Sequence, residues 1–304
     1  MTSTLDRPVK EPTFQKVSGR RKFSDNLATV LVTGSVVVAL VPLVWVLLTV
    51  IVKGFGAVTS STWWMNSQAG MTAFAAGGGA YHAIVGSLLQ ALICAVISIP
   101  IGVFVGIYLV EYGGGTRLGK VTTFMVDILT GVPSIVAALF IYALWVATFG
   151  FQRSGFAVSL ALVLLMIPVI VRSTEEMLRI VPMDLREASY ALGVPKWKTI
   201  SAIVIPTALS GIVTGILLAL ARVMGETAPL LILVGYAQAI NFDMFSGFMG
   251  SLPGMMFDQT SAGAGANPVP TDRLWGAAFT LIVVIAVLNV GARFIAKFFA
   301  PKKV

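Results

Sequence analysis

Two groups of residues in this 304-residue chain have types and spacings that could act on a polar solute. The first is Arg222, Glu226 and Thr227, set in a run that is otherwise apolar from about Ile203 to Val234. Arg222 and Glu226 stand at i and i+4, so an unbroken helix puts them on one face, where they can pair. An ionisable residue in mid-membrane costs about 2.5–3.5 kcal/mol on insertion scales, so its default reading is functional. The plainer reading is an ion pair that pins a helix bundle. The same face, followed backwards, carries Ala219, Gly215 and Gly211. Such a stripe either packs a helix closely or lines a narrow polar route. The second group is the polar loop Arg186-Glu187-Ala188-Ser189-Tyr190-Ala191-Leu192-Gly193, between two apolar runs. Asp184 to Leu192 reads as a short helix with Gly193 at a left-handed cap, and Val194-Pro195 restarts the chain. A short helix crossing beneath a bundle is a rigid knob that a partner can push. The plain alternative is an amphipathic connector.

Other chemistries find no support. The lone His82 has no second ligand nearby, and the lone Cys94 sits in an apolar run, so neither a metal site nor a disulfide is expected. Gly114 to Lys120 fits the G-x4-G-K spacing of a phosphate-binding loop, but Val121 stands where Ser or Thr must hold magnesium. With no nucleophile cluster either, an enzyme is not expected, and no cofactor is called for.

These residues must be positioned by elements that live in lipid. The chain is 57% hydrophobic and 11% charged, with mean hydropathy +0.91, against roughly 25% charged residues in a soluble domain. Apolar runs occur near 27–52, 83–110, 124–148, 155–172, 203–234 and 275–296. They lack the alternation of a barrel, so an all-α integral membrane protein with six transmembrane helices is expected. The first run is too long for a signal peptide and reads as an uncleaved span. Pro42, Pro100, Pro133, Pro168 and Pro206 are read as kinks more than ends. Glu111 and Asp127, near the ends of spans two and three, are expected at the interface.

Charge then orients the chain. If the N-terminus is cytoplasmic, all but four of the 21 lysines and arginines fall on the inside; Lys53, Arg153 and Arg273 fall outside and Arg222 within the membrane. The positive-inside rule therefore puts both termini and the Glu187 loop in the cytoplasm, and this distribution argues against nucleic acid despite the net charge of +8. Trp63, Trp64, Tyr81 and Trp275 lie where an outer aromatic belt would. The expected organisation is a basic tail at 1–26, a first span at 27–52 and an outer loop at 53–81. A core of five further spans follows at 82–298, and a short tail at 299–304. The core holds a cytoplasmic loop at 173–202 and an outer loop at 237–274. The N-terminal tail, with Pro8 and Pro12, reads as disordered. Gly77-Gly78-Gly79 reads as a flexible run, and Met244 to Phe257 as a surface helix in preference to a segment that lies in the interface or dips inward.

The loop has a further property. Glu187-Ala188-Ser189, three residues, Gly193, nine residues, then Ile203-x-Ile205-Pro206 resembles the EAA loop of ABC importer permeases, with Ser189 and Ile205 as mild departures. Val171 to Leu178, Gly131 to Val136 and Arg222 to Leu230 resemble the PstA-type permeases of bacterial phosphate ABC importers. Gly225-Glu226-Thr227-Ala228-Pro229 separates the chain from the sister PstC type, which usually has Gly-Glu-Thr-Met-Ala. The resemblance covers roughly residues 80 to 296, and the outer insert near 258–272 departs from it. It implies the type I importer (MetI-like) permease fold in the plasma (inner) membrane of a bacterium. It also implies a heterodimer with the PstC-type permease, two PstB-type ATPase subunits, a PstS-type outer phosphate-binding protein, and inorganic phosphate as substrate. Glu187, Ala188 and Gly193 would then couple to the ATPase. Arg222, Glu226 and Thr227 would serve the substrate path. A sulfate or molybdate importer would share the loop but not the Arg222 to Pro229 run. A channel would need no coupling loop.

Overall fold

The computed structural model describes residues 18–299, so most of the expected N-terminal tail and nearly all of the C-terminal one lie outside the described residues. Helix α1 runs Gly19–Val58, past both expected ends of the first span. The chain divides after Thr49 into two units, and the second, from Val50, holds every other helix. These are α2 (Ser61–Met65), α3 (Tyr81–Ile107), α4 (Arg117–Gly131), α5 (Ser134–Ile141) and α6 (Gly155–Ile180). They continue as α7 (Met183–Ala191), α8 (Lys196–Thr199), α9 (Ile205–Met224), α10 (Ala228–Leu233), α11 (Leu252–Ser261) and α12 (Pro268–Phe299). Single π-helical stretches extend α3 over Tyr108–Tyr112 and α5 over Tyr142–Thr148, and join α8 to α9 over Ile200–Val204. No strand occurs among the described residues. Among the described residues five helices are long and apolar enough to cross a membrane, or six if the bent pair α4–α5 is one span.

Helix α6 is the centre of the second unit. Of its most apolar stretch 67% is buried, against 33% for the stretch containing α9 and 28% for α3. Both neighbours reach it through glycines. A Cβ on Gly102 would lie 2.7 Å from Ile170, and one on Gly106 would lie 2.8 Å from Thr174. From α9, a Cβ on Gly211 would meet Met177 at 2.1 Å and one on Gly215 would meet Ser173 at 1.6 Å. The small-residue stripe of α9 therefore packs a helix and does not line a route. Without a hydrophobic drive between helices in lipid, such close approach supplies the dispersion contact that holds them.

Several expectations need correction here. The run 124–148 is not a straight span: it bends by 106° between α4 and α5. Pro133 has no N–H to give, and it forces Val132 into extended backbone at ψ 122°, so this proline ends a helix. Pro42, Pro100 and Pro168 do stay inside helices. The run 203–234 is also broken, at residues 225–227. The tract from Met244 to Phe257 is no surface helix, since α11 buries Leu252 and Met255 completely. Gly86 admits the approach: a Cβ there would sit 2.0 Å from the Gly250 carbonyl. Trp63 is buried as well, donating to the Thr280 hydroxyl at 2.8 Å, so it is no belt residue. The glycine run is held rather than loose. Arg273, only 4% exposed, donates to the carbonyls of Ala73, Ala75 and Gly77, and a Cβ on Gly79 would strike three carbonyls of residues 62–66.

Overpacking at a glycine contact costs about 1–3 kcal/mol. Gly106→Leu should lower the thermal midpoint of the purified protein in detergent. Gly291→Leu, with nothing within 4 Å of its Cβ, should leave it in place. Equal midpoints for the two variants would remove the close-contact account of α3 and α6.

Candidate functional site

The polar loop forms the knob its sequence calls for. Helix α7 ends at Ala191, Gly193 takes φ +76°, and Pro195 opens α8. A Cβ on Gly193 would meet nothing within 4 Å, so the position demands glycine for its backbone alone. An L-residue held left-handed there costs roughly 1–2 kcal/mol. Glu187 and Ala188 are exposed on α7. Around them stand Met183, Tyr190, Leu192 and Trp197, with Leu192 83% exposed, so the knob presents an apolar rim beside a carboxylate.

What anchors the knob was missed from sequence. The Arg186 guanidinium donates to the carbonyls of Leu178 and Val181 at the end of α6, at 3.0 and 2.7 Å. It also pairs with Glu111 Oε1 at 3.0 Å, with side chains only 8% and 6% exposed. Glu111 is thus buried, contrary to the interfacial expectation, because the π-helical end of α3 lies against the knob. Lys196 donates to the Glu111 carbonyl and lies over the Tyr112 ring at 4.5 Å. Ser189 shares a hydrogen bond with Thr199 at 2.8 Å, which ties α7 to α8 and gives the serine in place of alanine a purpose. Nearby, Arg172 joins exposed Asp127 of α4 to Glu175 of α6, and Arg179 pairs with Glu175 at 2.5 Å. The available signal was an arginine beside Glu187, with an acid closing span two.

The second group sits at the break between α9 and α10. Gly225 and Glu226 close the last turn of α9, their N–H groups donating to the Arg222 and Val223 carbonyls. Pro229 lies in the first turn of α10, where its missing N–H costs nothing. The unbroken helix assumed for the Arg222–Glu226 pair does not exist, and no ion pair joins them. Arg222 is exposed on this chain, not buried. Glu226 and Thr227 are half-buried, and Glu226 lines a small cavity with Ser87, Gln90 and Ser251. The far end of α10 is fixed to the start of α6: Arg153 donates to the Leu231 carbonyl at 3.0 Å, and the Ser154 N–H to that of Leu233 at 2.9 Å. His82 is buried and bonded through Nε2 to the Tyr236 hydroxyl at 2.8 Å. Among the described residues no His, Cys, Asp and Glu cluster could hold a metal.

Residues 98–304 match the family of binding-protein-dependent transport system inner membrane components. The phosphate transport system permease protein PstA of Mycobacterium leprae is 54% identical over 99% of this chain and 97% of its own length. PstA 1 of Mycobacterium tuberculosis is 54% identical over 98% of this chain and 97% of its own. This chain belongs to the PstA family of permeases. A PstA-family chain is a multi-pass bacterial membrane protein with a transport role, and the helical architecture agrees. The MetNI methionine ABC transporter in inward-facing conformations matches it with a TM-score of 0.59 at 18% identity, covering 72% of this chain and 95% of that one. At that identity the likeness concerns fold alone.

Removing one partner of a buried pair costs about 3–5 kcal/mol, whereas replacing both by packed apolar groups is often neutral. In this PstA-family chain Glu111→Leu should therefore destabilise the purified protein strongly. Adding Arg186→Met should recover a substantial part of the loss in the same unfolding measurement. Additive losses in the double variant would mean that the pair does not couple α3 to the knob.

Proposed function

We propose that this chain is the membrane-spanning subunit that passes inorganic phosphate inward across a bacterial plasma membrane, driven by ATP. The observation that carries the reading is the end-to-end likeness to PstA permeases, joined to a rigid knob with an exposed apolar rim. The chain does no bond chemistry. ATP is hydrolysed in two PstB-type subunits whose clefts receive Glu187, Ala188 and Gly193 of this knob and the matching loop of a PstC-type sister. A PstS-type protein delivers phosphate on the outer side. Both termini and the knob are cytoplasmic, and residues 82–298 form the permease core.

Arg222 supplies the positive charge that phosphate needs in a low-dielectric path. Its guanidinium offers a planar fork of donors, which a lysine does not copy. Glu226 and Thr227 flank it at a helix break, where unwound backbone and loose helix ends can face a polar solute because they line a cavity. The exposure of Arg222 on the isolated chain supports this reading, since a path between two permeases must be open on each subunit alone.

Because Arg222 has no carboxylate partner among the described residues, a single substitution leaves no orphaned charge behind there. In vesicles holding the four-component importer, Arg222→Met should assemble normally and lower labelled phosphate uptake by about tenfold or more, the worth of one lost charged hydrogen bond. Arg222→Lys should fall between. Uptake unchanged in Arg222→Met, at matched amounts of complex, would leave the arginine as scaffold. Orientation is tested separately with single-cysteine labelling in intact cells. A cysteine at Gly265 should react with an impermeant reagent, and one at Lys196 should not. The reverse pattern would invert the topology and remove the ATPase contact.

A further inference from the structure

Gln90 is a buried polar residue that the fold itself does not use. It lies on α3, 3% exposed, and its Nε2 has no hydrogen-bond partner. Its backbone carbonyl is satisfied, accepting from the Ser159 hydroxyl of α6 at 3.2 Å. The amide faces the small cavity behind the helix break, which Ser87, Ser251 and Glu226 also line. Ser87 and Ser251 already accept backbone N–H groups, from Leu252 at 2.8 Å and Gly254 at 3.1 Å. An unmade buried donor is destabilising, so on packing grounds alone an apolar residue would serve better at this position.

We infer that Gln90 contacts phosphate as it crosses the break, donating from Nε2 to a phosphate oxygen while Glu226 accepts from a protonated one. This deepens the phosphate-path reading and rests on it. The pairing of a neutral donor with a carboxylate acceptor suits an oxyanion that still carries a proton. An anion with no proton to give meets repulsion from Glu226 and gains one bond in place of two. In the present conformation the cavity admits nothing larger than a water. The contact therefore forms only when the break at residues 225–227 opens, while α10 stays tied to the start of α6 through Arg153 and Ser154. A route for phosphate then involves α3, the same helix whose other end meets the knob through Glu111.

The test uses the assembled importer in vesicles with labelled inorganic phosphate, comparing Gln90→Met and Gln90→Glu with the parent at matched complex levels. Gln90→Met keeps shape and removes the donor, and should lower uptake by about tenfold. Gln90→Glu places a carboxylate where phosphate passes, and Glu226 is the one other titratable group lining this cavity. Its uptake relative to the parent at each pH should therefore rise as pH falls and the new carboxyl gains a proton to donate. Expressing each value against the parent cancels the ionisation of phosphate itself. Uptake within twofold of the parent in Gln90→Met, or a flat relative pH profile in Gln90→Glu, overturns the assignment. Should one variant not assemble, the other decides. Loss in Arg222→Met with no loss in either Gln90 variant ends this inference alone. Retention in all three ends the phosphate-path reading with it.

Discussion

Arg186 holds the second unit to its own knob. Its guanidinium occupies the carbonyl end of α6, the terminal carboxylate of α3 and the middle of α7 at once. A helix of 26 residues ends with carbonyls that lack partners, and a buried end without donors is costly. Here a charge from the following helix meets that need, so the position of α7 is set by the same bonds that terminate α6. Glu111 balances the charge, and its backbone carbonyl takes Lys196 from the other side of the knob. The knob is therefore joined to α3 and α6 directly, with no flexible linker between.

From there the packing carries displacement toward the opposite end. Helices α3 and α9 touch α6 through glycines, whose bare backbone seats the α6 side chains Ile170, Ser173, Thr174 and Met177 with no room to spare. Close-packed helices of this sort shift as rigid bodies. Two of the apolar runs are interrupted, by the bend at residues 132–133 and the break at residues 225–227. The candidate anion-facing residues sit at the second. Arg273 and the buried α11 hold the far side together by hydrogen bonds and packing.

How much of this was legible in the sequence depended on the range of the cause. Gly193 was read correctly because a left-handed cap is a local matter: glycine, a helix before it, a proline after. The helical class and the number of apolar runs followed from lipid alone. The Arg222–Glu226 pair failed because i,i+4 arithmetic presumes an unbroken helix, and Gly225 with Pro229 removed that premise. Those two residues were visible but were outweighed by continuous apolar sequence. Glu111 and Arg186 lie 75 positions apart, so no periodicity could join them. Gln90 and the burial of α11 were hidden for a related reason. An apolar tract reads alike on a surface or in a core until Gly86 shows that backbone can approach backbone there.

The exposed rim of the knob has a consequence for the making of the protein. Leu192 and Trp197 are exposed on the chain taken alone, beside Met183 and Tyr190. A patch of this kind is what chaperones and membrane proteases grip. Under the proposed assembly, a subunit synthesised ahead of its partners carries its own mark of incompleteness, erased when an ATPase covers the knob. Stoichiometry among the chains can then be kept by degradation of the surplus, without any control on how fast each is translated.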